Sequence, residues 1–234
     1  MSSISSNLQA VEARIATAAQ SVLRAPQEIR LLAVSKTFGT DAVIEAAEAG
    51  QRAFGENYLQ EALDKIATVR GTRPDLLLEW HFIGPIQSNK TRPIAEHFDW
   101  VHSVDREKIA QRLSEQRPAH LPPLNICLQV NISGEATKSG VTPNEALELA
   151  PRIAALPQLK LRGLMAIPEP AEDEEQQRRP FRQLRELLEQ LHAQGLKLDT
   201  LSMGMSADMD AAIAEGATIV RVGTAIFGQR HYAK

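Results

Sequence analysis

A lysine stands at the end of a short apolar run near the start of the chain. The run Leu31-Leu32-Ala33-Val34 is followed directly by Ser35 and Lys36. If the run is a buried strand, Lys36 lies in a partly desolvated position, and desolvation lowers a lysine pKa. The neutral amine is the nucleophile that forms imines with aldehydes. Taken alone, a lysine at a strand end more often extends its ammonium group to solvent. Other residues are therefore needed to distinguish an imine-forming lysine from a solvated one.

Two glycine-containing segments near the C-terminus have the composition of phosphate-binding loops. Met203-Gly204-Met205-Ser206 follows one apolar run, and Arg221-Val222-Gly223-Thr224 ends the next. Glycine lets the backbone approach a ligand closely, and backbone N–H groups bind phosphate oxygens. Either glycine alone indicates only a tight turn. An imine-forming lysine together with a phosphate site is what pyridoxal 5′-phosphate (PLP) requires, so the sequence predicts PLP as cofactor, held as a Schiff base on Lys36.

Arg221 belongs to the second of these segments. In an extended strand Ile219, Arg221 and Gly223 share one face, which we place inside the fold. A guanidinium group stays charged at neutral pH and only donates hydrogen bonds. Opposite a pyridine nitrogen it would keep that nitrogen unprotonated, which makes the ring a poorer electron sink. The alternative is an ion pair with a carboxylate such as Glu56 or Asp105.

Other polar positions are less decisive. Asn57 ends an apolar run and either hydrogen-bonds the cofactor or caps a helix that starts at Tyr58. Lys138 is a second lysine in a loop, where a solvated side chain is the ordinary interpretation, and its role stays open. The single cysteine, Cys127, lies in an apolar run and is predicted to be buried and inert. The 6 histidines show no spacing suited to a metal.

The elements that position these residues follow a recurring pattern of apolar strand, polar turn and amphipathic helix. The predicted strands are Ile29–Lys36, Arg52–Asn57, Leu78–Gly84, Trp100–Asp105, Leu124–Asn131, Lys160–Ile167, Thr200–Gly204 and Thr218–Phe227. Strands joined by helical crossovers form a parallel sheet, and eight of them close into a barrel. We therefore predict a single domain over residues 1–234, a (β/α)8 TIM barrel with its site at the carboxyl ends of the strands.

Amphipathic patterns also place several helices. The predicted helices include Ser6–Val22, an extra one before the first strand, then Thr40–Ala49 with Thr40-Asp41 as N-cap, and Phe181–His192. A further helix begins at Thr142 with a capping box to Glu145, and another begins near Ala207-Asp208. The charged stretch Ala171–Arg179 is predicted to be a solvated loop before a helix opened by Pro180.

Composition limits the function classes. The 234 residues carry a net charge of −3, which gives no electrostatic reason to expect nucleic acid or an anionic membrane as partner. The apolar runs are too short to span a membrane, and one cysteine excludes an internal disulfide. We expect a cytoplasmic protein.

Eight segments that run in order through nearly the whole chain carry the motifs of one family. They are Leu32–Lys36, Phe54–Tyr58, Trp80–Lys90, Val130–Ile132, Lys138–Gly140, Arg162–Met165, Leu201–Ser206 and Arg221–Gly228. On these residues the sequence resembles the pyridoxal phosphate homeostasis protein family, the single-domain relatives of the alanine racemase N-terminal barrel.

The resemblance implies a role for each candidate residue. Lys36 would carry PLP as a Schiff base, and Arg221 would face the pyridine nitrogen. The residues implied to hold the phosphate are Ser206, Gly223 and Thr224. The residues implied to lie near the ring are Asn57 and Met203. The family is implied to bind PLP without established turnover and to help balance the cell's PLP pool, with PLP-accepting apo-enzymes as possible partners.

Two enzyme functions compete with this interpretation. An amino-acid racemase needs an acid/base group on each face of the substrate, and in the racemase family the second is a tyrosine from another domain of the other subunit. This chain ends at Lys234, and its tyrosines are Tyr58 and Tyr232, so we expect no turnover and a monomer. A Schiff-base aldolase acting through Lys36 on a sugar phosphate is the other alternative, and it would lack the visible absorption of a PLP imine.

Overall fold

Eight parallel strands pair in chain order and close into a barrel through hydrogen bonds between the first and the last. The computed structural model describes residues 3–135 and 138–229. The strands are β1 (Arg30–Val34), β2 (Ala53–Glu56), β3 (Glu79–Phe82), β4 (Trp100–Val104), β5 (Leu124–Gln129), β6 (Leu159–Met165), β7 (Thr200–Ser202) and β8 (Ile219–Val222). The predicted TIM barrel is confirmed, with strand ends one to a few residues shorter than the apolar runs suggest.

Helices surround the barrel over the described residues. They are α1 (Ser3–Ser21), α2 (Thr40–Glu48), α3 (Leu59–Thr72), α4 (Thr91–His97), α5 (Glu107–Gln116), α6 (Pro143–Ala154), α7 (Glu174–Ala193), α8 (Met209–Ala214) and α9 (Thr224–Phe227). The capping box that opens α6 is present, because the Thr142 side chain accepts from the Glu145 N–H and the Glu145 carboxylate accepts from the Thr142 N–H. The predicted N-cap of α2 is wrong, since Gly39 occupies that position without a side-chain bond.

The interpretation of Ala171–Arg179 as a loop before a helix opened by Pro180 is wrong. Helix α7 begins at Glu174, and Pro180 lies inside it. Asp173 caps the helix by accepting from the Gln176 N–H at 3.0 Å, and Arg178 reaches the buried carboxylate of Glu215 at 2.8 Å. The cap and this long-range ion pair stabilise the first turns despite the hydrogen bond that proline removes.

The prediction of an eighth strand over Thr218–Phe227 is wrong in its second half. Strand β8 ends at Val222, and α9 begins at Thr224 after Gly223. The apolar run therefore contains a short strand and a short helix, which periodicity over so few residues does not separate. Helix α8 starts at Met209, after a turn over residues 206–208. Tyr232 lies outside the described residues.

Two apolar regions hold the barrel together. The larger lies between the helices and the outer face of the strands, and Val220 and Val222 belong to it. The smaller fills the barrel interior and contains Leu32, Ala53, Trp100, Cys127, Met165 and Ile219. Ile219 and Arg221 therefore point inward, as the alternation along β8 predicts. Cys127 is buried, and its burial raises the thiol pKa to about 12, which agrees with an inert cysteine.

A glycine substitution tests the close approach of β6 to β7. A Cβ added at Gly163 would overlap the carbonyl oxygen of Thr200, so Gly163→Ala is expected to lower the free energy of unfolding by about 3 kcal/mol or more. The matched control is Gly71→Ala in α3, where no atom lies within 4 Å of the new Cβ. This control should be neutral or raise stability by up to about 1 kcal/mol. Urea denaturation of both variants gives the comparison, and equal stabilities would contradict the strand packing.

Candidate functional site

A cavity of about 280 Å³ opens at the carboxyl ends of the strands. The predicted site residues that line it are Lys36, Asn57, Ser206, Arg221, Gly223 and Thr224. Val34, Ile83 and Ile167 add apolar walls. The six predicted residues follow or end the first, second, seventh and eighth strands, and only closure of the barrel brings them together.

Met203 does not line this cavity. Its side chain is fully buried in the core between barrel and helices, and its N–H donates to the Ile219 carbonyl at 3.1 Å. Met205 and Ala207 line the cavity instead. Ile83 and Ile167 were also missed by the sequence reasoning, although both lie near the ends of predicted strands, and position at a strand end was the signal that could have found them.

The turn that carries Lys36 has an unusual backbone. Lys36 lies just beyond β1 and is half-buried, and the next residue, Thr37, has a φ of 69°. A β-branched residue rarely adopts this left-handed conformation, so the surrounding contacts must hold it. The Thr37 N–H donates to Glu61 Oε1 at 2.6 Å, which ties the turn to α3.

A buried lysine joins this turn to the neighbouring strand. Lys65 Nζ donates to the Ser35 carbonyl at 2.7 Å, to Glu56 Oε1 at 2.8 Å and to Glu61 Oε1 at 2.6 Å. The Ser35 hydroxyl also donates to Glu56 Oε1, at 2.6 Å. The ammonium group thus crosslinks the end of β1, the end of β2 and α3, and it fixes the residues on both sides of Lys36.

Burial disfavours the charged form of the Glu56 carboxylate in this cluster. Burial raises the pKa of Glu56 above its usual value, and the charge and hydrogen bonds of Lys65 and Ser35 oppose that rise only in part. Within the described residues Glu56 Oε2 has no hydrogen-bond partner. Removing Lys65 would therefore leave a buried charge without compensation, which is far more costly than the pair itself.

Arg221 crosses the floor of the cavity. It is buried, and its Nη1 donates to Ser202 Oγ at 2.7 Å and its Nη2 to the Ala166 carbonyl at 2.9 Å. Burial lowers its pKa to about 10, so it is charged at neutral pH. The alternative ion pairs are wrong, because Glu56 pairs with Lys65 and Asp105 with Arg106.

Asn57 follows β2 and presents an unsatisfied acceptor. Its Oδ1 is buried and has no hydrogen-bond partner within the described residues. It does not cap the next helix, since Tyr58 is the N-cap of α3 and makes no side-chain bond there. A buried acceptor without a partner costs free energy, so a ligand that donates a hydrogen bond to Asn57 would gain from it.

The loops after β7 and β8 offer hydroxyl groups to the same cavity. Ser206 and Thr224 both line this cavity. Arg14 holds the first loop by donating to the Ser206 carbonyl at 2.8 Å. A Cβ at Gly223 would lie 3.1 Å from the Val34 carbonyl oxygen, so glycine lets the end of β8 approach the end of β1.

Lys138 lies away from this cavity. Its Nζ is 2.5 Å from Glu135 Oε1, and it is not among the described residues that line the cavity. A larger cavity of about 490 Å³ lies at the opposite, N-terminal end of the strands, and Arg30 and Arg52 line part of it. It contains none of the predicted site residues.

Comparisons with known proteins match this chain over almost its full length. A profile described as the alanine racemase N-terminal domain matches residues 6–231. The pyridoxal phosphate homeostasis protein of Pseudomonas aeruginosa is 64% identical over 232 residues, covering 99% of this chain and 98% of the relative. The protein of that name from Escherichia coli K12 is 54% identical over 234 residues, with both chains covered completely at 100%.

Solved structures agree in fold. PipY of Synechococcus elongatus, solved without PLP, is 38% identical with a TM-score of 0.85 over 96% of this chain and 100% of that chain. Its structure with PLP bound gives 37% identity and a TM-score of 0.83 over the same shares, 96% and 100%. Among the described residues, no helix is long and apolar enough to cross a bilayer, and no group of acidic, histidine and cysteine side chains is arranged to hold a metal.

Substitution of Lys65 tests the crosslink beside Lys36. Lys65→Met leaves Glu56 buried without its cation, so we expect a loss of about 3–5 kcal/mol of unfolding free energy at pH 8. Without Lys65 the folded-state pKa of Glu56 lies still further above its unfolded value. The folded state then keeps a proton that the unfolded state has lost, and stability falls as pH rises through that window.

The loss in Lys65→Met should therefore be smaller at pH 5 than at pH 8, as measured by urea denaturation. Lys160→Met, at an exposed lysine, is the control and should change stability little at either pH. An equal loss at both pH values would show that Glu56 is not the group left uncompensated.

Proposed function

This chain belongs to the alanine racemase N-terminal domain family and, within it, to the pyridoxal phosphate homeostasis proteins, and we propose that it binds PLP as a Schiff base on Lys36 and takes part in intracellular PLP homeostasis. The observation that carries the proposal is the shared cavity. The Lys36 side chain, the hydroxyl-bearing loops at Ser206 and Thr224, and the Arg221 guanidinium line one space at the mouth of the barrel.

The residues present fit this cofactor. Bound PLP supplies an aldehyde that reacts with an amine and a pyridine ring that withdraws electrons. Lys36 is the lysine of the cavity, and Ser206 and Thr224 place hydroxyl-bearing residues at the same cavity, where they would hold the phosphate. Asn57 offers a buried acceptor without a partner. The chemistry of this donor set matches a phosphorylated aldehyde with a nitrogen ring.

Arg221 favours holding the cofactor over reaction. Its guanidinium only donates hydrogen bonds. Burial lowers its pKa to about 10, and the group is still charged at neutral pH. Facing the pyridine nitrogen, it would donate a hydrogen bond and disfavour protonation of the ring, which weakens the ring as an electron sink. Such a site would hold PLP while restraining carbanion chemistry at a bound amino acid.

A homeostasis role also needs release of the cofactor. We propose that PLP passes from this cytoplasmic protein to apo-enzyme acceptors, and that the second lysine, Lys138, takes part in the transfer rather than in storage. Its amine is held by Glu135 at 2.5 Å and lies outside the cavity of Lys36. That placement suits an amine that would receive the PLP aldehyde only after PLP has left Lys36.

Borohydride reduction tests the position of the imine. Reduction of the PLP-loaded protein followed by peptide analysis is expected to place the phosphopyridoxyl group on Lys36, because Lys36 is the lysine that lines the cavity. Lys36→Ala should lose the visible absorption of the bound cofactor, whereas the matched variant Lys138→Ala should keep equilibrium loading. Recovery of the label mainly on another lysine would overturn the assignment of Lys36.

Comparison of PLP with pyridoxal tests the phosphate site. Hydrogen bonds to a charged phosphate contribute about 1.5–3 kcal/mol each, so pyridoxal, which lacks the phosphate, should bind at least about 100-fold more weakly. Thr224→Ala should reduce PLP affinity while leaving pyridoxal affinity nearly unchanged. Ser133→Ala, outside the cavity, is the control. Equal dissociation constants for the two aldehydes, measured by absorbance titration, would remove the phosphate assignment.

A further inference from the structure

A row of polar side chains crosses the barrel interior behind the cavity. Arg221 Nη1 lies 2.7 Å from Ser202 Oγ, and Ser202 Oγ lies 2.7 Å from His102 Nδ1. His102 Nε2 is 2.8 Å from His81 Nδ1, and His81 Nε2 is 2.6 Å from Glu79 Oε1. The row therefore runs from the carboxyl end of β8 to Glu79, the first residue of β3, near the opposite end of the barrel.

The two ends of the row determine the direction of every hydrogen bond in it. Arginine only donates and an ionised carboxylate only accepts. Ser202 accepts from Arg221, so its own hydroxyl is available to donate to His102 Nδ1. His102 then carries its proton on Nε2 and donates to His81 Nδ1, and His81 carries its proton on Nε2 and donates to Glu79. Both neutral imidazoles are thus fixed as Nε2–H tautomers.

The protonation states required by this order agree with the electrostatics. Burial lowers the pKa of His81 to about 4 and the pKa of His102 well below its ordinary value, so both rings are neutral at pH 7. Although burial raises the pKa of Glu79, the hydrogen bond from His81 and the charge and hydrogen bond of Arg30 help to lower it to about 2, so it is ionised at pH 7. Arg30 Nη1 lies 2.6 Å from Glu79 Oε1.

Packing leaves the two imidazoles little freedom to turn. The side chains of His81, His102 and Ser202 are fully buried. The Trp100 ring stacks on His81 with a centroid distance of 5.4 Å and an interplanar angle of 6°, and Trp100 also contacts His102 at 5.8 Å. A ring flip would exchange donor and acceptor atoms along the row, and this packing opposes it.

We propose that Glu79, His81, His102 and Ser202 are positioning residues, which hold Arg221 in one hydrogen-bonded orientation and so set the electronic state of the ligand ring at the cavity. The proposal rests on the proposed function only in taking PLP as that ligand. The charge of Glu79 fixes the order of the protons at one end of the barrel. The Ser202 hydroxyl therefore donates its proton to His102 Nδ1, and the Ser202 oxygen accepts from Arg221 at the other end of the row.

A purely structural role for the row predicts something different. Buried polar networks stabilise a fold when all members have partners, so any break would lower stability. It would not by itself change the absorption of a ligand that the substituted residue does not touch. Glu79 lies at the end of β3 remote from the cavity and is not among its lining residues.

The tautomers are measured first, without added PLP. In ¹⁵N-histidine-labelled protein, two-dimensional NMR at pH 7 should show His81 and His102 as Nε2–H tautomers. His81→Gln and His102→Gln serve to assign the signals. Glu79→Gln, whose amide can accept or donate, should convert them to a mixture of tautomers. Glu12→Gln, an exposed carboxylate at the same end of the barrel, should leave them unchanged. A protonated His102 or an Nδ1–H His102 in the unsubstituted protein overturns the proposal whether or not PLP binds.

The second measurement uses PLP-loaded protein. Ser202→Ala removes the group between Arg221 and His102, and we expect a shifted absorption maximum of bound PLP and roughly 10-fold weaker PLP binding. Ser114→Ala removes a buried hydroxyl of α5 that donates to the Pro157 carbonyl, and it should lower stability without changing the spectrum. Glu79→Gln should shift the spectrum in the same sense as Ser202→Ala. If Ser202→Ala and Glu79→Gln both bind PLP with an unchanged absorption spectrum, the proposal is overturned and the proposed function remains intact.

Discussion

The ion pair between Lys65 and Glu56 is the interaction on which the mouth of this barrel depends. It is buried on both sides, with side-chain exposures of 5% and 0%. One ammonium group bonds to the last residue of β2, to α3 and to the carbonyl of Ser35. A pair of this kind contributes little net stability compared with apolar packing, but it is costly to break and specific in geometry. Here that geometry defines where the Lys36 turn begins.

Thr37 shows what the pair makes possible. Its φ of 69° is unfavourable for a β-branched residue, and the bond from its N–H to Glu61 stabilises it because Lys65 holds the same carboxylate. The unfavourable backbone conformation of Thr37 is thus stabilised by Glu61, which Lys65 holds in place. Lys36 therefore follows a stretch of backbone with little freedom, which suits the role proposed for it.

The barrel interior contains both apolar side chains and a row of buried polar side chains. Most TIM barrels fill this space with branched apolar residues. Here Leu32 and Ile219 do so, together with the unbranched side chains of Cys127 and Met165. Beside them runs the row from Arg221 to Glu79, with both histidines neutral and fully buried. Because every member donates in the same direction, the row is satisfied throughout. A cation at the cavity is therefore oriented by an anion at the far end of the strands.

The sequence by itself determined the fold class, the eight strands and several of the residues that line the cavity. Alternation placed Arg221 inward on β8, the capping box placed the start of α6, and motif order linked Lys36 to the loops at Ser206 and Thr224. These features depend on local periodicity or on the rule that the ends of parallel strands meet at one face. Only the tertiary structure decided the rest.

Helix α7 begins at Glu174, six residues before Pro180, because a distant carboxylate, Glu215, binds Arg178. Met203 packs into the core, while Met205 reaches the cavity, because the strand ends at Ser202 and alternation ends with it. No sequence pattern singled out Lys65, His81 or His102, since each has a partner far away in the chain. Lys65 bonds to Ser35, 30 residues away, His81 to His102, 21 residues away, and His102 to Ser202, 100 residues away. Interactions between residues so far apart are set by closure of the barrel, and a sequence pattern that extends over one element does not contain them.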